Sequence, residues 1–311
     1  LSASNPTSPP QPDGIFAIDK EAGWTSHDVV ARVRHIVHMK RVGHAGTLDP
    51  AAVGVLPVCL GQATRVVEYL GDSGKEYRAT ITFGVETTTY DAEGEVTARH
   101  ALPPMLDRAA IAAALPQFLG EIAQVPPMYS ALRRDGKRLY DLARQGVELD
   151  LAPRPVRIDA LTIVEWTAPT LVLDVACGKG TYIRSLAHDL GVVWGCGAHL
   201  AGLIRTRVGP FTRRHSITLA TLATAFAEGT WRDLLFAPDE ALLTLDAIIL
   251  ATENEQRFYH GQPFTIPAAW QPTGTVRAYT TDGRFLGLVT SPEPNLWQPT
   301  KVFPMHEVSD D

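Results

Sequence analysis

Asp49 is the first carboxylate after twenty consecutive neutral or cationic residues, positions 29–48. It stands between Leu48 and Pro50, and the proline biases it toward extended backbone and away from helix. Gly43, Gly46 and Gly54 around it would let a ligand or another chain come close to the main chain. A carboxylate presented this way can act as a nucleophile or a proton-transfer group. It can equally be a turn residue bonding nearby amides, a common use of Asp-Pro. Three other positions carry a similar double reading. His44 is either a surface imidazole or a group that reaches a ligand, and Tyr77 is either a core-edge aromatic or a ring facing a site. Tyr182 follows Gly178-Lys179-Gly180-Thr181 at the predicted first turn of a helix, where free amides and the dipole favour anions.

Other chemistries lack their residues. Cys196, His199 and His188 are short of a fourth zinc ligand and of paired ligand spacing. The Gly178-Lys179-Gly180-Thr181 stretch is not a Walker loop, because position 173, where the upstream glycine is required, is Leu. No Gly-x-Ser-x-Gly elbow is present.

The elements that must position these groups follow from periodicity. Residues 14–18 read as a strand, and Thr25 or Ser26 caps a helix whose apolar stripe is Val29, Val30, Val33, Ile36 and Val37. Arg32, Arg34, His35 and His38 fall off that stripe, which predicts a basic outer side. Residues 43–61 are rich in Gly and Pro without a period and are predicted as a structured loop. Ala63, Val66, Val67 and Leu70 restore helical spacing, with Gly71 as the expected C-cap. Alternation predicts strands over 77–83 and 171–177, and a helix over 107–115 ends or kinks at Pro116. Ile183, Leu186, Ala187 and Leu190 form an inward helical face with Gly191 beyond its end. From about 253 strands dominate, with Asp282-Gly283 as a hairpin turn. Strands and helices mix without regular βαβ spacing, so an α+β fold with a mixed, mostly antiparallel sheet and flanking helices is expected. A boundary is expected near 246–252, giving a main unit over 14–248 and a smaller one over 249–311.

The bulk properties restrict the function. The chain has 311 residues, 45% of them hydrophobic and 20% charged, which is ordinary globular make-up. Three scattered cysteines suit a reducing cytoplasm rather than a disulfide framework. No run of about 18 apolar residues suggests a membrane span. Residues 1–13 read as a Pro- and Ser-rich leader that is not a signal peptide. A net charge of −6 argues against coating nucleic acid through bulk charge, yet the charges are segregated. Residues 29–48 hold Arg32, Arg34, Lys40 and Arg41 with no acid. Residues 133–157 hold Arg133, Arg134, Lys137, Arg138, Arg144, Arg154 and Arg157 against four acids. Such runs are either solvated faces or nucleic-acid contacts.

The loop 41–57, with Gly23-Trp24-Thr25-Ser26-His27-Asp28 before it and Gly61-Gln62-Ala63-Thr64-Arg65 after it, resembles the bacterial TruB family of tRNA pseudouridine-55 synthases. Further blocks follow in the same order: Lys75-Glu76-Tyr77, then Val125-Pro126-Pro127-Met128-Tyr129-Ser130-Ala131-Leu132, then Lys179-Gly180-Thr181-Tyr182-Ile183-Arg184, then Gly197-Ala198-His199-Leu200 leading to Leu203. One departure is the family's proline after Asp-Lys, where Glu21 follows Lys20. The resemblance implies the pseudouridine synthase fold with a small C-terminal, barrel-like PUA-like domain. It implies Asp49, Tyr77 and Arg184 as catalytic residues, and His44, Tyr77, Tyr182 and Leu203 as substrate-binding ones. It also implies RNA contacts from Lys20, Arg41, Arg133, Arg134, Lys137, Arg138, Arg144 and Arg154, with residues 125–157 as a thumb over the RNA. The implied partner is the tRNA T-stem-loop, with its target uridine flipped out. No metal or other cofactor is needed, because the isomerisation neither oxidises nor hydrolyses. A cytoplasmic monomer without an obligate protein partner is the default. The rival reading is a non-catalytic tRNA-binding or folding module on the same surface.

Overall fold

The computed structural model describes residues 12–129, 133–134, 137–138, 151–266 and 274–303. Arg144 and nearly all of the expected leader lie outside the described residues. β1 (Gly14–Lys20) is buried on both faces, and α1 (Ser26–Val37) follows it. Thr25 caps α1 with a reciprocal box: its hydroxyl accepts from the Asp28 amide at 3.1 Å, and the Asp28 carboxylate accepts from the Thr25 amide at 2.9 Å. The apolar stripe of α1 is buried, while Arg32, Arg34, His35 and His38 are exposed.

The expected loop over 43–61 is only partly a loop. β2 (Val42–His44) and β3 (Val53–Leu60) occupy its two ends. β3 is paired on one edge by an antiparallel β1 and on the other by a parallel β12 (Ala198–Val208), and it is buried on both faces, so no alternation survives to betray it. The irregular backbone shrinks to the stretch around Asp49. The next apolar segment divides into a 3-10 turn (Gly61–Val66) and α2 (Val67–Asp72). Ser73, rather than Gly71, occupies the cap.

β4 (Lys75–Phe83) alternates as predicted. Next come a hairpin of β5 (Val85–Thr87) and β6 (Val96–Arg99), α3 (Arg108–Ala114) capped by Asp107, and β7 (Gly120–Gln124). Pro116 sits in a 3-10 turn that continues α3. β8 (Arg133–Arg134) and β9 (Lys137–Arg138) pair with each other. β10 (Arg154–Thr167), β11 (Thr170–Cys177), α4 (Ile183–Val193), β12 (Ala198–Val208), β13 (Phe211–Thr212) and α5 (Leu219–Glu228) complete the main body. Gly191 lies inside α4, not beyond it. A Cβ there would stand 2.2 Å from the Ala198 amide, so this glycine lets the returning chain pack against the helix.

The main sheet runs β1-β3-β12-β4-β11-β10-β7, with β2 on β3 and β13 on β12. Among the described strands of this sheet only β3 and β12 pair in parallel, giving the mixed, mostly antiparallel α+β architecture. The smaller sheet runs β14 (Ala247–Ile249), β16 (Thr275–Tyr279), β17 (Phe285–Glu293), β18 (Leu296–Val302), β15 (Phe264–Thr265). It closes over Phe258, Phe264, Val276 and Trp297, an arrangement compatible with a PUA-like domain. Gly283, at φ 88°, makes the expected hairpin turn. β14 reaches upstream of position 249, and α6 (Thr252–Tyr259) interrupts a stretch expected to be strands. The small sheet packs on the main body: Leu288 and Phe303 share a core with Ala63, Val66 and Leu70. The Lys301 ammonium donates to the Arg65 carbonyl at 2.7 Å and pairs with Glu68. Among the described residues no helix is long and apolar enough to cross a membrane.

Candidate active site

The loop carrying Asp49 is pinned through its main chain. The buried Ser26 hydroxyl accepts from the Leu48 amide at 2.9 Å and donates to the Leu48 carbonyl at 3.3 Å. On the other side, the Pro50 carbonyl accepts from Lys20 Nζ at 3.0 Å and from the Gly23 amide at 2.9 Å. Arg205 reaches the same loop, donating from Nη2 to the Gly46 carbonyl at 3.0 Å. Asp49 is thereby held in place without its carboxylate being used as an anchor.

Asp49, Tyr77, Tyr182, Arg184, Leu203 and Arg205 line one cleft of about 690 Å³. That volume is within the ordinary range for sites that enclose a small ligand, and it suits a single nucleotide. β4 supplies Tyr77, the start of α4 supplies Tyr182 and Arg184, and β12 supplies Leu203 and Arg205.

Arg184 organises the centre. Its side chain is only 7% exposed, with Nε 3.1 Å from Asp49 Oδ2 and Nη1 3.4 Å from Asp91 Oδ2. Nη2 donates to the Tyr129 carbonyl at 2.8 Å. With the Thr89 carbonyl 3.4 Å from Nη1, one guanidinium serves two carboxylates and two carbonyls. Asp49 keeps 43% of its side-chain surface open to the cleft, although protein surrounds it on its other sides. That enclosure pushes the Asp49 carboxyl above the ordinary carboxylate value; Arg184 and Lys20 oppose the rise and Asp91 adds to it. Tyr77 is buried, which raises its phenol, with the Arg205 charge acting in the opposite direction.

His44 stands apart from the lining. Its ring meets His27 edge-on at 5.5 Å between centroids, and His27 faces the cleft instead. Burial pushes His44 down to about 4, so it is neutral, and its buried Nδ1 has no hydrogen-bond partner among the described residues. Tyr182 does not offer the free amide expected at a helix start. Buried Gln124 accepts from the Tyr182 amide at 2.8 Å and donates to its carbonyl at 3.0 Å, joining β7 to α4.

Of the expected RNA contacts, Lys20 is a correction. It is 1% exposed, and its ammonium is spent on the carbonyls of Glu21, Trp24 and Pro50 at 3.1, 2.6 and 3.0 Å. Burial lowers it to about 8, and it acts as a loop anchor rather than an RNA ligand. Arg41 is exposed and bonds the Thr64 hydroxyl at 2.9 Å; Arg154 is exposed at the start of β10. Arg133 pairs in register with Arg138, and Arg134 with Lys137, on the β8–β9 hairpin. Asp91, Gln124 and Arg205 were not picked out from sequence. Nothing local set Arg205 apart from Arg207 two residues on in the same strand, and Asp91, in a polar turn, had no signal either.

Comparison with known proteins adds an independent line. Residues 34–183 match the model of the TruB family pseudouridylate synthase N-terminal domain, and residues 184–254 that of the tRNA pseudouridylate synthase B C-terminal domain. A tRNA pseudouridine synthase B of Dehalococcoides mccartyi is 44% identical over 295 residues, 94% of this chain and 96% of its own. One from Burkholderia pseudomallei is 45% identical over 287 residues, 90% of this chain and 94% of its own. A solved H/ACA RNP bound to a substrate RNA containing 2′-deoxyuridine superposes with a TM-score of 0.73 at 28% identity, covering 94% of this chain and 86% of that one. A Cbf5-Nop10-Gar1 complex gives 0.71 at 29% identity, covering 91% and 79%.

Proposed function

The chain belongs to the TruB family of pseudouridylate synthases, and we propose that it converts the uridine at position 55, in the T-arm of tRNA, to pseudouridine. The observation that carries this reading is the Asp49–Arg184 ion pair, at 3.1 Å, in a cleft of nucleotide size. The reaction breaks the N-glycosidic bond of uridine, turns the base, and rejoins it through carbon. Atoms and oxidation state are conserved, so the chemistry needs a charged carboxylate near sugar and base but no cofactor. Asp49 is that carboxylate, as nucleophile or proton-transfer partner. Arg184 keeps it charged and aimed despite the enclosing protein. Tyr77 provides a ring face for the uracil, while Tyr182 and Leu203 hold the base from the opposite walls. His44 acts on the extruded nucleotide from the His27 side.

A uridine inside a folded tRNA arm cannot meet Asp49 in place, so the nucleotide flips out, at a cost of a few kcal/mol. Phosphate contacts from the thumb, residues 125–157, offset that cost, through Arg133, Arg134, Lys137, Arg138, Arg144 and Arg154, together with Arg41. The main unit over 14–248 carries the chemistry, and the unit over 249–311 adds RNA affinity. The protein works as a cytoplasmic monomer.

The direct test incubates the full chain with an unmodified tRNA transcript and maps pseudouridine. Product at position 55, without added nucleotide or metal, is the expected result. Tight binding with no product would point to a non-catalytic tRNA-binding module, and product elsewhere would refute the assigned position.

A pH series makes a second prediction. Turnover requires ionised Asp49, whose proton is held above the ordinary 3.8, so the acid limb of kcat/KM is expected above that value. Asp91 contributes to the rise, so Asp91→Asn is expected to move the limb to lower pH. A limb that stays put or climbs would contradict the coupling of the two carboxylates.

A further inference from the structure

Among the described residues, Arg205 is the largest side chain less than 2% exposed. Burial disfavours its charge, and the adjacent Tyr77 side chain opposes that effect. Burying a guanidinium is costly unless its N–H groups find acceptors. Nε donates to the Val55 carbonyl at 2.8 Å, Nη2 to Gly46 at 3.0 Å and Nη1 to Thr47 at 3.4 Å. Gly46 and Thr47 precede Asp49 and Val55 follows it, so one rigid planar group ties both ends of the loop. The main chain of Arg205 is in register with Gly54 on β3 and Tyr77 on β4. A Cβ on Gly54 would lie 2.2 Å from the Arg205 carbonyl oxygen, so the close seating of these strands requires glycine there.

Tyr77 and Arg205 both line the cleft. We propose that Arg205 is a positioning residue that fixes the Asp49 loop relative to Tyr77, so that carboxylate and ring meet the same bound nucleotide. The proposal rests on the roles given to Asp49 and Tyr77 above. Lysine at 205 would keep the charge but could not span three carbonyls from one nitrogen.

The test is single-turnover kinetics of the full chain on an unmodified tRNA transcript tritiated at uridine C5, with tritium release as the readout. Arg205→Lys is expected to slow release by about 100-fold, the scale of a displaced reacting group, with the Kd for the transcript unchanged. Added to Asp49→Asn, the same change is expected to cost under about tenfold more, because the carboxylate it positions is already gone. Full-rate Arg205→Lys, losses that multiply in the double variant, or a loss confined to binding would each overturn the proposal. A wild-type chain that releases no tritium would instead refute the assigned function. If a melting curve shows Arg205→Lys unfolded, Arg205→Gln carries the test: a folded variant at least about tenfold slower with unchanged Kd is expected, and an unchanged rate overturns the proposal.

Discussion

Asp49→Asn is expected to slow pseudouridine formation by on the order of 10⁴-fold or more, while tRNA affinity stays near that of the wild type. The substitution exchanges an oxygen for an amide nitrogen of similar size, and no loop anchor depends on the lost charge. Ser26, Lys20 and Arg205 hold main-chain groups at 48, 50 and 46. Arg184 keeps Asp91 and the Tyr129 carbonyl as partners. The stability effect has a definite sign. Because the Asp49 carboxyl is raised in the folded state, its ionisation destabilises the fold as pH climbs from 3.8 through the folded value. Asparagine carries no such penalty, so above that window the variant should melt no lower than the wild type. Tritium release, filter binding and a melting curve at neutral pH together check this result. Residual turnover near the wild-type rate would remove Asp49 from the mechanism.

Arg184→Met is expected to cost about 10³-fold in turnover, through a different route. Without the guanidinium, Asp49 and Asp91 face each other with no shared cation, and the Asp49 carboxyl rises further. Some activity should therefore return as the pH is raised, which the asparagine variant at 49 would not show. Stability is expected to fall by about 3 kcal/mol, the low end for an opened buried pair, because Asp49 retains access to water. Binding of the tRNA transcript should change little, since the buried guanidinium makes no outward contact. A variant that loses affinity but not the chemical step would contradict the assigned pairing. A flat pH response would contradict it as well.

How far the sequence disclosed all this depends on whether one side of an element faces water. β4 was legible because its outward residues stay polar, and β11 because Thr170 and Asp174 break its half-exposed face while the other face is apolar throughout. β3 was not, because neighbours on both edges and cover on both faces leave an unbroken apolar run that resembles a loop once Gly and Pro intervene. Gly71 and Gly191 resembled helix ends, yet Gly71 lies within α2 and Gly191 serves a contact with Ala198. At the site, Asp49 stood out by its isolation among cations and apolar residues. Lys20 misled, because nothing local distinguishes a solvated ammonium from one folded back onto three carbonyls. Asp91 and Arg205 acquire their meaning only when β4, β12 and α4 converge.

The seam between the small sheet and the α2 region limits how the chain can be dissected. Cutting near position 246 would strip Leu288 and Phe303 from a shared interior and leave Ala63, Val66 and Leu70 facing solvent. Those three sit on the segment that links the strand after Asp49 to the strand bearing Tyr77. The tail is thus a buttress for the reaction centre as well as an appendage, and a shortened protein would report on a weakened scaffold rather than on a free-standing catalyst.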